Sequence, residues 1–150
     1  MNTTRTPLEP SAPRRYYADC SSWEGCVVRP GDAPFSSNQQ SSISIARGRI
    51  GGDATCQAFL AYLDGLPANG GLFIYNSRLT DYGEEISNTT WGGPIDYQAE
   101  IRLGSPAFRS TLELARTMIH EAAHAVLGAN DDPASLGPRS AYYWESQCVG

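Results

Sequence analysis

Ser110-Thr111-Leu112-Glu113-Leu114-Ala115-Arg116-Thr117-Met118-Ile119-His120-Glu121-Ala122-Ala123-His124-Ala125-Val126-Leu127-Gly128 is the stretch from which the rest of the chain is read. Leu112, Ala115, Met118, Ile119, Ala122, Ala123 and Val126 recur at helical spacing and form a wide apolar face. Ser105-Pro106 suits a helix start with proline at the first helical position, and Ser110-Thr111-Leu112-Glu113 is an alternative capping box. Gly128 is placed to stop the helix. The chain's only two histidines, His120 and His124, lie four residues apart, so both imidazoles share one face, one turn apart. Two buried histidines flanking a glutamate are costly unless something satisfies them.

Two ring nitrogens so placed can hold one zinc ion at about 2.0–2.1 Å each. Glu121 is rotated about 100° around the helix from His120, which sets it beside such an ion and not on it. A carboxylate there can act as general base toward water activated by the metal, then as general acid toward the leaving amine. His-Glu-x-x-His also arises by chance on ordinary helices. The confinement of both histidines to the motif argues against that.

Working outward, Ala99, Ile101 and Leu103 alternate with Gln98, Glu100 and Arg102, which predicts a half-buried strand at a sheet edge. Leu72-Phe73-Ile74-Tyr75 suits a buried strand, and residues 76–94 are polar and glycine-rich with no predicted element. Asp53 as N-cap, followed by Cys56, Phe59, Leu60 and Leu63, predicts a helix over about 54–65 that Gly65 and Pro67 end. Ile43 and Ile45 alternate within 42–50 and predict a further strand. Residues 16–41 read as irregular structure pinned by a disulfide, and 1–15 as a flexible segment, leaving 16–150 as one domain. After the motif, Asn130-Asp131-Asp132-Pro133 forms a turn and a last helix over about 139–148 carries Tyr142, Tyr143, Trp144 and Glu145.

Composition bounds the function. With 150 residues, 41% hydrophobic and 18% charged, the chain can build one core. A net charge of -5 argues against nucleic acid as a partner. No apolar run is long enough to span a membrane. All eleven cations are arginine, which a GC-rich genome explains and which selection against lysine modification would also produce. Cys20, Cys26, Cys56 and Cys148 contain no C-x-x-C and suit two disulfides in an oxidising compartment. Three pairings are open; Cys20 with Cys26 would close a short loop, and Cys56 with Cys148 would tie an early helix to the C-terminus. Residues 1–15 have no apolar signal core, so the expectation is a secreted or exported domain lacking its leader here, or the terminal domain of a larger exported carrier protein.

His120-Glu121-x-x-His124 on a helix that follows a strand resembles the zincin metallopeptidases. The lack of a third histidine excludes the metzincin pattern. Gly128-Ala129-Asn130-Asp131-Asp132 is similar to the Gly-Thr-x-x-Asp element of the aspzincin (deuterolysin-like) family, which implies Asp132 as third zinc ligand, with Asp131 as a near neighbour. Glu145, 21 residues after His124, resembles the gluzincin arrangement and is the alternative. The resemblance implies an α+β fold, a small zincin-like domain with a short mixed sheet, the motif helix and a C-terminal helix. It implies a zinc-dependent endopeptidase, with a polypeptide substrate added as a strand beside residues 98–103 and thus against Glu100, Ile101 and Arg102. Tyr142 and Tyr143 are candidates for stabilising the oxyanion. Small zinc peptidases also occur as toxin or effector domains, for which a cognate inhibitor is a further expected partner. The alternatives from other classes are a non-catalytic secreted binding module and a zinc amidase acting on cell-wall peptide.

Overall fold

The side chain of Ser36 accepts a hydrogen bond from the Gln39 amide, and the Gln39 side chain accepts one from the Ser36 amide. This reciprocal cap starts a helix, α1 (Ser37–Arg47), where alternation predicts a strand. Of the supposed apolar side, Ile43 packs against the core whereas Ile45 is exposed, as two residues about 200° apart on a helix would be. The structure, a computed structural model, describes residues 3–7, 29–132 and 134–150. The proposed Cys20–Cys26 pairing and half of the expected irregular segment lie outside the described residues.

The helix α2 (Ala54–Gly65) starts at Asp53, whose carboxylate accepts from the amides of Thr55 and Cys56, as the sequence predicts. The strands are β1 (Thr3–Pro7), β2 (Asp32–Ala33), β3 (Leu72–Asn76), β4 (Gly83–Ser87) and β5 (Glu100–Leu103). They form one mixed sheet in the order β1-β4-β5-β3-β2. With α1, α2, α3 (Thr111–Leu127) and α4 (Ala141–Cys148) the domain is α+β, the class expected.

Three sequence readings are corrected. Residues 3–7 fall in the segment read as flexible, yet they form a strand that pairs in parallel with β4. β4 itself falls in the stretch read as a loop; Gly83-Glu84-Glu85-Ile86-Ser87 has too many charges to read as a strand. β5 is not an edge: it pairs in parallel with β3 and antiparallel with β4. Glu100, Ile101 and Arg102 are therefore buried inside the sheet and present no free backbone edge to a substrate. The polar face of β5 suggested solvent. Instead Arg102 is fully buried and bridges Asp32 on β2, at 2.9 and 3.1 Å, and Glu100, at 2.6 Å.

α3 is the central element, packed against α1, α2, α4 and β4. Leu114, Ala115, Met118, Ile119, Ala122 and Ala123 meet Phe59 and Leu63 of α2 and Ile101 and Leu103 of β5 in one core. The disulfide Cys56–Cys148 ties α2 to the end of α4, and the Phe59 and Trp144 rings meet edge to face 5.5 Å apart between the same helices. These contacts set α4 alongside the histidine-bearing face of α3.

Candidate metal centre

Ser110 caps α3 by accepting from the Glu113 amide, and Gly128 ends it in the left-handed region at φ 69°. A side chain at 128 would be strained by that φ and would also lie 2.2–2.4 Å from backbone atoms of Thr90 and Trp91. The chain reverses here at once. The Ala129 carbonyl lies 2.7 Å from Nδ1 of His124, and Asp131 arrives beneath both imidazoles.

Oδ1 of Asp131 is 2.8 Å from Nε2 of His120 and 2.9 Å from Nε2 of His124. The Asp131 side chain is 38% exposed, whereas both histidines are fully buried, so the cluster opens toward solvent on the aspartate side. On the far side of each ring, Nδ1 of His120 meets Oε2 of Glu145 at 2.5 Å, and Nδ1 of His124 meets the Ala129 carbonyl. Acceptors at both Nδ1 atoms fix the Nδ1–H tautomer, which turns both Nε2 lone pairs toward one carboxylate oxygen. Three electron-rich atoms then converge, and a proton or a metal cation among them would offset their mutual repulsion. The titration behaviour agrees: burial opposes charge on His120, but Asp131 and Glu145 outweigh it and raise its pKa. Burial, with His120 nearby, lowers that of His124. Asp131 is partly buried, which opposes its charge, yet the hydrogen bond with His120 and the nearness of both imidazoles hold its carboxyl well below the usual range.

A proton on His120 satisfies only part of this arrangement. Nε2 of His124 is buried and, although 2.9 Å from Asp131, lacks hydrogen-bond alignment with any partner. The candidate ligand atoms of His120, His124 and Asp131 all lie within 4.8 Å of one another. Two imidazole nitrogens and a carboxylate oxygen form a donor set suited to zinc with a fourth position left open.

The expected carboxylate roles are thereby redistributed. Asp131 meets the histidines, not Asp132. Asp132 is exposed and engaged through its backbone, its amide donating to Asn130 and its carbonyl accepting from the Ser140 hydroxyl. The tight turn at Gly128 and the Asn130–Ser140 bridge bring the first aspartate under the rings and carry the second away. Glu145 stands behind His120 as an orienting group and not among the three converging atoms.

Glu121 is buried between α3 and β4. The approach depends on Gly83, where a Cβ would lie 3.1 Å from Cγ and Oε1 of Glu121 and 2.9 Å from Thr117. Burial first, then the charges of Glu85 and Asp131, raise the Glu121 carboxyl well above the ordinary value. Of the two tyrosines, Tyr142 belongs to the site. Its ring meets that of His120 edge to face at 4.7 Å, and burial with the charges of Asp131, Glu145 and Glu121 raises its pKa. Tyr143 packs on Trp144.

No protein-family profile, curated protein or solved structure matches the chain. The site must therefore be read from its own geometry. Gly83, Glu85 and the β1 residues Thr3 and Arg5 were missed in the sequence, since nothing local links them to the motif helix.

Proposed function

We propose that this domain is a zinc-dependent peptidase in which His120, His124 and Asp131 hold the ion and Glu121 handles the proton. The observation that carries this reading is the convergence of two Nε2 atoms and one carboxylate oxygen, with Glu121 on the adjoining helix position and outside the converging set. Zinc bound there would polarise a scissile carbonyl and acidify the attacking water. Glu121 would be the group to accept a proton from that water and return it to the departing amine. Glu145 and the Ala129 carbonyl hold the two imidazoles in orientation. The Tyr142 side chain, beside the His120 ring, is the group that would donate to the developing oxyanion. The Cys56–Cys148 disulfide supports an oxidising, exported setting. No helix among the described residues is long and apolar enough to cross a membrane.

The test is metal content and peptide hydrolysis of the purified chain beside Glu121→Gln. Stoichiometric zinc in both, with turnover reduced by about two to four orders of magnitude in Glu121→Gln, is the expected result. A chain that takes up no zinc, or a Glu121→Gln variant with full turnover, overturns the reading.

A further inference from the structure

Trp91 is left 41% exposed, yet the loop that carries it is tied down. The Asn88 amide donates to the Asp96 carboxylate at 3.0 Å, the Asp96 amide to the Thr89 hydroxyl at 3.1 Å and the Gly93 amide to the Thr90 carbonyl at 2.8 Å. Backbone atoms of Thr90 and Trp91 press on Gly128, where the chain turns to deliver Asp131. On the other side of that turn, the Asn130 amide donates to the Arg139 carbonyl at 2.8 Å and the Ala141 amide to the Asn130 carbonyl at 2.9 Å. Trp91, Gly128, Asn130, Asp132 and Arg139 thereby line an open cavity of about 340 Å³. Asp131, whose carboxylate meets both imidazoles, lies between two of these lining residues, so the cavity and the metal centre share one turn. Two charged side chains line the cavity without pairing to each other. The Arg139 guanidinium lies over the Trp91 ring, 5.2 Å from its centre, and makes no hydrogen bond or ion pair among the described residues. The ring holds the guanidinium in place and leaves its N–H donors for a ligand. Asp132 is engaged through its amide and carbonyl alone, which leaves its carboxylate equally available.

A simple acid in this cavity is repelled by Asp132, and a simple base by Arg139. A group that carries both charges satisfies both walls. Along a polypeptide, the α-amino and α-carboxyl groups are used up in main-chain amides. They stay free together on an amino acid that is joined to its neighbour through its side chain. We propose that the cavity binds the zwitterionic head group of such an amino acid, its α-carboxylate on Arg139 and its α-ammonium on Asp132, and that the amide brought to the metal centre is a side-chain amide. The inference rests on the peptidase reading for cleavage, but recognition of the head group can be measured without turnover. Water is the co-reactant in the cleavage: the amide C–N bond breaks, the hydroxyl joins the carbonyl carbon and a proton goes to the departing amine.

The experiment titrates the zinc-loaded full chain with acetyl-alanine joined to lysine through Nε and follows the Trp91 indole resonance. The isomer joined through Nα keeps the carboxylate and moves the ammonium to the far end, as in a C-terminal lysine. The Nε-linked lysinamide keeps the ammonium and lacks the carboxylate. The Nε-linked acid is expected to bind about fivefold more tightly than either. Arg139→Gln should erase its advantage over the amide, and Asp132→Asn its advantage over the isomer, with zinc content unchanged in both variants. Equal binding of the three compounds, tighter binding of the Nα-linked isomer, or preferences that survive both substitutions overturns the proposal. Hydrolysis of the Nα-linked isomer with none of the Nε-linked acid also overturns it. A chain that shows the preferences but hydrolyses no amide keeps the head-group site and overturns the peptidase reading alone.

Discussion

Oε2 of Glu145 sits 2.5 Å from Nδ1 of His120, on the side of the ring opposite the Asp131 carboxylate. A carboxylate at Nδ1 makes Nε2 a better donor to a metal and fixes the ring plane, but it is not itself a ligand. Glu145→Ala should therefore weaken zinc binding by about 10–100-fold while leaving a saturable site. Asp131→Ala should cost more than Glu145→Ala, and Asp132→Ala should leave affinity unchanged. Zinc titration against a competing chelator ranks the three. Asp132→Ala losing as much as Asp131→Ala would show that the turn delivers the wrong aspartate.

Gly83 allows α3 to approach β4 closely enough for Glu121 to lie against the strand. In Gly83→Ala the new methyl group falls on Cγ and Oε1 of Glu121 and on Thr117, and the flexible Glu121 side chain is the group that yields. Hydrolysis should fall by about tenfold or more as the carboxylate shifts, with zinc stoichiometry retained. Steady-state kinetics read beside metal analysis tests this. Equal loss of zinc and activity would place the damage in the ligands and not in Glu121.

What could be read in advance follows from how local each signal is. The α2 and α3 caps, the stop at Gly128 and the placing of both histidines on one face of α3 depend on residues within a few positions of each other, and these agree between sequence and structure. β5 could be recognised as a strand but not placed in the sheet, because Arg102 is matched by its neighbour Glu100 and by Asp32, which lies 70 positions away. An alternation that looked half-solvated was a buried ion cluster. The choice of Asp131 over Asp132 depended on the turn after Gly128, where one residue in register changes which carboxylate meets the rings. Neither β1 nor β4 carried an apolar pattern, so the strand that lies over the site was invisible until its partner was known.

Gly128 combines a left-handed backbone with backbone neighbours that cannot step aside. Gly128→Ala should destabilise the fold by about 1–3 kcal/mol from the φ strain alone, with the overlap at Thr90 and Trp91 adding to it. Denaturant unfolding gives the value. Because the same turn delivers Asp131, zinc affinity should fall with it even in the population that remains folded.

Cys56 and Cys148 are 92 residues apart, so their bridge closes a long loop in the unfolded chain. The loop-entropy relation gives about 4–5 kcal/mol for a closure of this size. Replacing both cysteines with serine should lower the stability by an amount of that order and loosen the α4 end that carries Glu145. Unfolding midpoints, taken with and without zinc, measure it. A loss that zinc fully restores would show that the metal clamps α4 through His120 and Glu145 in place of the bridge.

Asp32 sets the acid limit of the sheet. Burial would raise its carboxyl, but hydrogen bonds from Arg102 and Asn76, with the guanidinium charge of Arg102, outweigh this and hold it below the ordinary value. Arg102 stays protonated throughout, its own pKa raised by Asp32 and Glu100 against the effect of burial. A carboxyl depressed in the folded state binds fewer protons there than in the unfolded chain. Its stabilising contribution is complete above the unfolded value of about 3.9 and is lost as pH falls toward the lower folded value. Unfolding free energy should therefore decline below about pH 4 with a slope to which Asp32 contributes. Asp32→Asn should start less stable at neutral pH, since Arg102 is left buried beside a neutral amide, and should show a shallower acid limb. Denaturant melts of both proteins across the acid range decide it: parallel limbs would assign the acid sensitivity to other carboxylates.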